Sequence, residues 1–267
     1  MSWRNPVIAS PLEHSRGLTA VKPGLRSYGA PVGILMIERI QSPGVRPFIP
    51  GDVGNASTWG VPVRYKTVSG LNVPRLFGPN ARELEPVIIS AAKELVQEGA
   101  QLITCNCGYS VKFQNVLRGA LNVPVFLSSL LLAPFLVRML PHEKSLGIIL
   151  ASSSSLSNDM LEAAGLPEDI GPNVVVAGLD EAPAFNAAWV TAKGDLDVGA
   201  VEAEVVEAAV KLVDERPDVG MILLECGDLP PYAASVQKAT GLPVFDYTSL
   251  INFFIGGLTR RPFVGIT

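Results

Sequence analysis

Short apolar runs alternate with helical periods along most of the chain. Seven runs read as strands: Val32–Ile37, Gln101–Thr104, Val123–Leu127, Leu146–Ala151, Asn173–Ala177, Val219–Glu225 and Leu242–Phe245. Between them lie amphipathic stretches. Ala81–Glu98 sets Leu84, Val87, Ile88, Ala91 and Leu95 on one helical face, and Val198–Glu215 does the same with Val201, Val205, Ala209, Leu212 and Val213. In the latter, Glu202, Glu204 and Glu207 come early while Lys211 and Arg216 come late, which suits the helix dipole. Strands that are apolar throughout, alternating with such helices, predict a parallel sheet covered on both faces. The most apolar stretch, Val123–Leu140, is interrupted by Ser128, Ser129, Pro134 and Arg138. A spanning helix needs about 20 mainly apolar residues. The stretch therefore predicts a buried strand followed by a buried helix, and no membrane association.

The chain also repeats itself. Glu94–Phe126 and Lys211–Phe245 both read helix, turn, apolar strand, Cys-Gly, helix, then Pro-Val-Phe. Cys107-Gly108 leads to Pro124-Val125-Phe126, and Cys226-Gly227 leads to Pro243-Val244-Phe245, at a constant offset of 119. Upstream, Val32-Gly33-Ile34 answers Leu146-Gly147-Ile148 at an offset of 114. Each cysteine lies just past the carboxyl end of its strand, where open α/β sheets bind ligands. A duplicated α/β chain is expected to form two pseudo-symmetric, Rossmann-like lobes with parallel sheets. The two thiols would then face one cleft as near-equivalent acid/base groups. Residues 1–127 are expected to make lobe one with an N-terminal arm, completed by residues 249–267, and 128–248 to make lobe two.

Composition narrows the field. With 48% apolar and 17% charged residues among 267, disorder and coiled coil are poor descriptions. A net charge of −4 gives no basic excess for nucleic acid. The first thirty residues lack a signal peptide's apolar core, and three cysteines suit a reducing cytoplasm better than a disulfide framework. His14 and His142 belong to no strand-end motif, so thiol or serine catalysis has no histidine base in sequence. Cys105, Cys107 and Cys226 lack a fourth ligand for structural zinc, and no Gly-x-Gly-x-x-Gly follows a strand.

From about Gly33 onward the chain resembles the aspartate/glutamate racemase superfamily, which includes hydantoin racemases. Thr104–Ser110, TCNCGYS, satisfies both the Cys-Asn-Thr and the Asn-Cys-Gly forms of that family's first motif. Glu225–Pro230, ECGDLP, matches the second at Cys226 and Pro230, with Gly227 and Asp228 where the family has Thr and His. The resemblance implies a cofactor-independent racemase or epimerase of an amino acid or related carboxylate. One thiolate removes the α-proton and the opposite thiol delivers one. It also implies a small-molecule substrate and a homodimer. A decarboxylase or cis-trans isomerase of the same superfamily, or a non-catalytic small-molecule binding protein, are the alternatives. Met36-Ile37 replaces the Asp-Ser pair of glutamate racemases, which argues against glutamate itself.

Several residues are candidates for the site. The gapless repeat pairs Cys107, not Cys105, with Cys226, which makes Cys107 and Cys226 the catalytic pair and Cys105 a buried strand residue. The Cys-Asn-Thr form favours Cys105 instead. A helix N-terminus after each Cys-Gly lowers a thiol pKa and offers N–H groups to a carboxylate, which brings in Gly108 and Gly227. Asn106 has a carboxylate-binding counterpart in the family. Asn55 and Thr58 sit on the Gly-rich loop within Glu38–Trp59, either as substrate contacts or as turn residues. Trp59 is a lid or core packing. Ser152, Ser155 and Ser129 follow strands, either facing the cleft or capping helices. Asp228 is either a partner of Cys226 or an N-cap.

Overall fold

A computed structural model describes residues 27, 29–39, 48–166, 173–191, 195–258 and 260. The expected N-terminal arm with His14, residues 40–47 of the long loop and the 261–267 end lie outside them.

Two parallel sheets carry the chain. The first has the order β2-β1-β3, from β1 (Val32–Ile37), β2 (Val63–Val68) and β3 (Leu102–Cys105). The second has the order β5-β4-β6-β7, from β4 (Ser145–Leu150), β5 (Val174–Gly178), β6 (Val219–Leu224) and β7 (Val244–Phe245). β1 and β4 are central and almost wholly buried, which is why they read as unbroken apolar runs. This is the expected α/β architecture of two related parallel sheets.

The helices follow their apolar stripes. α1 (Val73–Phe77) starts on the side-chain cap of Asn72. α2 (Glu85–Gln97) buries Ile88, Ala91, Ala92 and Leu95. α3 (Gln114–Ala120), α4 (Ala133–Met139) and α5 (Asn158–Ala163) are short. α6 (Val198–Glu215) buries Val201, Val205, Ala209 and Leu212, spaced for one face, and Asp197 caps it by accepting from the Ala200 N–H at 3.0 Å. α7 (Ala233–Thr240) and α8 (Tyr247–Leu258) follow. Tyr247, Ile251 and Ile255 of α8 pack with Val32, Ile34 and Leu102 of the first sheet. A further core runs continuously from Leu35 and Ile103 to Leu146, Ile148 and Leu223, so the two sheets share apolar packing. Each buried Val, Leu or Ile side chain stabilises by about 1.5–3 kcal/mol.

Some expectations need correction. β2 was not anticipated, because its sequence VRYKTV is half-polar and half-exposed. Val123–Leu127 forms no strand but a single bridge, Val125 to Ile103. The helix expected from Ala81 begins as a 3-10 turn, Ala81–Leu84, before Pro86 admits the α-helix in its first turn. α4 is not fully buried, since Phe135 and Met139 are exposed. No helix among the described residues is long and apolar enough to cross a membrane.

Candidate active site

The two Cys-Gly turns are built alike. The Asn106 N–H donates to Leu35 O at 3.0 Å, and the Glu225 N–H donates to Ile149 O at 2.9 Å, extending β3 and β6 by one residue beside β1 and β4. The chain then turns. The Ser110 N–H reaches back to Cys107 O at 3.0 Å, and the Leu229 N–H reaches Cys226 O at 3.1 Å. All four contacts obey the offsets of 119 and 114 seen in the sequence.

The turns pack on each other reciprocally. A Cβ on Gly108 would lie 1.9 Å from Glu225 Oε1 and 2.7 Å from Glu225 O. A Cβ on Gly227 would lie 2.3 Å from Asn106 O. The residue before each cysteine thus lies across the glycine after the other one. Only glycine permits this approach, which gives a steric reason for both Cys-Gly pairs.

Cys107 and Cys226 open on one cavity of about 210 Å³. Asn106, Ser152, Ser155 and Asp228 also line it, together with Arg39, Tyr109, Asp180 and Trp189. Two roomier grooves, of about 450 and 510 Å³, contain neither thiol.

The thiols have unequal neighbours. Burial pushes both upward. For Cys107 the next causes are Cys105 and Glu225, and for Cys226 they are Asp228 and Glu225. Cys226 Sγ faces Asp228 Oδ2 at 3.9 Å, a long thiol-to-carboxylate contact. Asp228 in turn accepts from Arg39 Nη2 at 3.4 Å on each oxygen. The Arg39 guanidinium lies over the rings of Phe48 and Trp189, 4.8 and 4.5 Å from their centroids. Burial raises the Asp228 carboxyl despite Arg39. Asp52, fully buried on the adjoining loop, is also raised, by burial and then by Asp228. The Val53 N–H beside it donates to Gly227 O at 3.0 Å and ties that loop to the second turn.

Asp180 is the opposite case. Its partial burial opposes charge, but the hydroxyls of Ser152, Ser153 and Ser154 and the Ser153 N–H outweigh that and hold it below the usual carboxylate range. The Tyr109 hydroxyl accepts from the Ser152 N–H at 2.8 Å and donates to Ser152 O. Phe77 packs edge-on to the Tyr109 ring at 4.9 Å. One end of the cavity therefore combines a fixed carboxylate with aromatic rings. Near the cysteines, Asn106 Oδ1 accepts from the Ile37 N–H at 2.9 Å, while its Nδ2 is buried without a partner.

Other candidates fall elsewhere. Cys105 is buried at the end of β3, with its Sγ 3.2 Å from Ser110 Oγ, and does not line the cavity. Ser129 is buried and donates to the carbonyls of Leu224 and Glu225. Asn55 caps the turn Ala56–Thr58, and Thr58 bonds the backbone of Gly51 and Asp52. Both shape the loop that carries Asp52. Trp59 is core packing, not a lid. Gly108 and Gly227 serve the close approach between turns. Neither Ser152 nor Ser155 caps α5, whose N-cap position is Ser157, and Ser152, which precedes the 3-10 turn Ser153–Ser155, makes no side-chain cap bond to it. Asp228 is no cap either, because its carboxylate turns to Arg39 and Cys226.

Arg39, Asp180 and Glu225 were missed. Arg39 and Glu225 are charged residues at the ends of apolar strands, a legible signal, whereas Asp180 had none stronger than its place after β5.

Comparison with known proteins fits this geometry. The chain is 34% identical over 224 residues to a dimethylsulfoniopropionate lyase of Durusdinium sp. clade D, spanning 82% of this chain and 73% of that protein. It is 31% identical over 226 residues to dimethylsulfoniopropionate lyase 7 of Emiliania huxleyi (strain CCMP1516), spanning 81% and 65%. The chain belongs to this lyase family. No protein-family model matches it. Among solved structures, it is similar to unliganded arylmalonate decarboxylase, with a TM-score of 0.51 at 17% identity, covering 86% of this chain and 92% of that one. A glutamate racemase isoform from Bacillus anthracis aligns with a TM-score of 0.52 at 11% identity, covering 85% and 82%. Both solved structures share the two-sheet α/β fold of this chain. The expected isomerase thus meets relatives that are named lyases.

Proposed function

We propose that this chain is a cofactor-independent lyase that splits dimethylsulfoniopropionate by β-elimination. Cys226, as thiolate, takes the proton from the carbon next to the carboxylate. The freed electron pair forms a carbon–carbon double bond, and the carbon–sulfur bond breaks with its pair going to sulfur. The products are acrylate, neutral dimethyl sulfide and one proton, with no net oxidation.

The observation that carries this reading is the inequality of the thiols. Inversion of a stereocentre wants two matched acid/base groups on opposite faces, whereas elimination needs one base. Cys226 has a carboxylate in contact with its sulfur, Asp228 at 3.9 Å, to receive its proton, and among the described residues Cys107 has no such contact. Cys107 lines the opposite turn and shapes the wall beside the reacting carbon. The remaining charges suit a zwitterion. Asn106 Nδ2 offers an unused donor to the carboxylate. Asp180, with the rings of Tyr109 and Phe77, favours the sulfonium end. Arg39 holds Asp228 in place.

Purified protein fed dimethylsulfoniopropionate is expected to release dimethyl sulfide, read by headspace gas chromatography, and Cys226→Ser to abolish the release. Proton NMR in deuterated water would run beside it over L- and D-amino acids. Inversion of an amino acid without dimethyl sulfide release would overturn the lyase and restore the racemase.

A further inference from the structure

Glu225 ends β6 and directly precedes Cys226. Its side chain is fully buried and both carboxyl oxygens lack a hydrogen-bond partner. The carboxyl lies across Gly108, the residue after Cys107. It is therefore wedged between the two Cys-Gly turns, where the mechanism proposed above gives it no task.

The repeat states what such a place normally holds. Asn106 occupies the equivalent position in the first turn, and its carboxamide oxygen is held by the Ile37 N–H. The offset of 114 makes Ala151 the counterpart of Ile37. The Ala151 N–H does favour an ionised Glu225, but it does not reach hydrogen-bond geometry. A neutral amide in one turn thus corresponds to a carboxyl in the other, and an ionised carboxylate there would be a buried charge without a hydrogen-bond partner.

We propose that Glu225 is a positioning residue that works as a neutral carboxylic acid, supporting both turns while uncharged and suppressing both thiolates once ionised. The groups that feel its charge come from every element around it: Cys107 and Tyr109 from the first turn, Cys226 from its own, and Tyr247 from α8. The nearby Asp228 carries its own counter-charge in Arg39. Burial pushes Glu225 up to about 8, so the acid form dominates at neutral pH. The proposal rests on the reading that thiolates do the work, but its test does not use the substrate.

Alkylation by iodoacetamide, followed peptide by peptide with mass spectrometry from pH 6 to 10, reports thiolate formation at Cys107 and Cys226. Wild type and Glu225→Gln are expected to react within about twofold of each other at pH 6.5, with the variant about tenfold faster at pH 9.5, the equivalent of one pKa unit. A rate ratio that stays constant across the range overturns the proposal. So does a variant that is already faster at pH 6.5. Carbon NMR of wild type labelled at the glutamate carboxyl serves if the variant folds poorly. One carboxyl should titrate above pH 7, and complete titration of all glutamates below pH 6 overturns the idea. Absence of dimethyl sulfide release would sink the lyase and leave these readouts intact.

Discussion

In the turn after β3, the residue before the cysteine is Asn106, and the third residue on is Tyr109. In the turn after β6, Glu225 and Asp228 hold the equivalent places. The backbones hardly differ: each amide bonds the same carbonyl of its neighbouring strand, and each glycine receives the other turn. The chemistry differs at both variable positions. The first turn carries an amide and a phenol, neither ionised at neutral pH. The second carries two carboxyls and has its thiol 3.9 Å from one of them. Duplication thus kept the scaffold symmetric while side chains made the two thiols unequal.

The largest effects should come from the thiols. If Cys226 is the base, Cys226→Ser should lower kcat/KM for elimination by about a thousandfold, within the usual range for a general base. Cys107→Ser should cost about tenfold to a hundredfold. Equal losses at both cysteines would break the comparison and favour a two-base mechanism.

Next in size is the pH dependence of stability. Burial raises Glu225 from an ordinary 4.5 to about 8. Between those values the unfolded chain has lost the proton while the folded chain retains it, so this group's contribution falls as pH rises. Glu225→Gln lacks the titration. Its stability relative to wild type should climb across that window by up to roughly 1.4 kcal/mol per pH unit. Urea midpoints at pH 5, 6, 7 and 8 would measure the slope, and parallel curves would place an ionised Glu225 in the fold.

The glycines come third. Gly227→Ala drives a methyl against Asn106 O, and Gly108→Ala drives one against Glu225, including its backbone oxygen. Overpacking of this kind costs about 1–3 kcal/mol. The backbone oxygen lies nearer at Gly227, 2.3 Å against 2.7 Å at Gly108, and backbone yields less than a side chain, so Gly227→Ala should give the larger loss in thermal unfolding. Glu225→Ala should recover part of the Gly108→Ala loss, because the two changes share a contact.

Much of this was legible in the sequence. Six of the seven expected strands form, and the most buried of them, β1, β3 and β4, read as apolar runs because both faces are covered. The fixed offset between Cys-Gly and Pro-Val-Phe exposed the duplication, and duplication located the two turns. β2 escaped because VRYKTV is half-exposed and carries Arg64 and Lys66. Side-chain partners escaped for a different reason. Ser152 looks like a cap locally, and only the fold brings Asp180 to it from the end of β5. Arg39 and Asp228 lie 189 residues apart, a pairing that no local pattern encodes.

That long-range pairing has a counterpart, which yields the smallest and most selective prediction. Asp228 holds Arg39 just past β1, while Tyr109 clamps Ser152 just past β4. Each turn grips the loop that follows the central strand of the other sheet. One grip is a titratable ion pair that also faces a thiol. The other is a phenol that burial keeps protonated. Tyr109→Phe should therefore cost about 1–2 kcal/mol of stability, the price of leaving the Ser152 N–H without its acceptor, with no change in the pH profile of Cys226 alkylation. Asp228→Asn should do the reverse, shifting that profile while changing stability less. A shift of the Cys226 profile in Tyr109→Phe would mean the two grips are not divided between structure and chemistry.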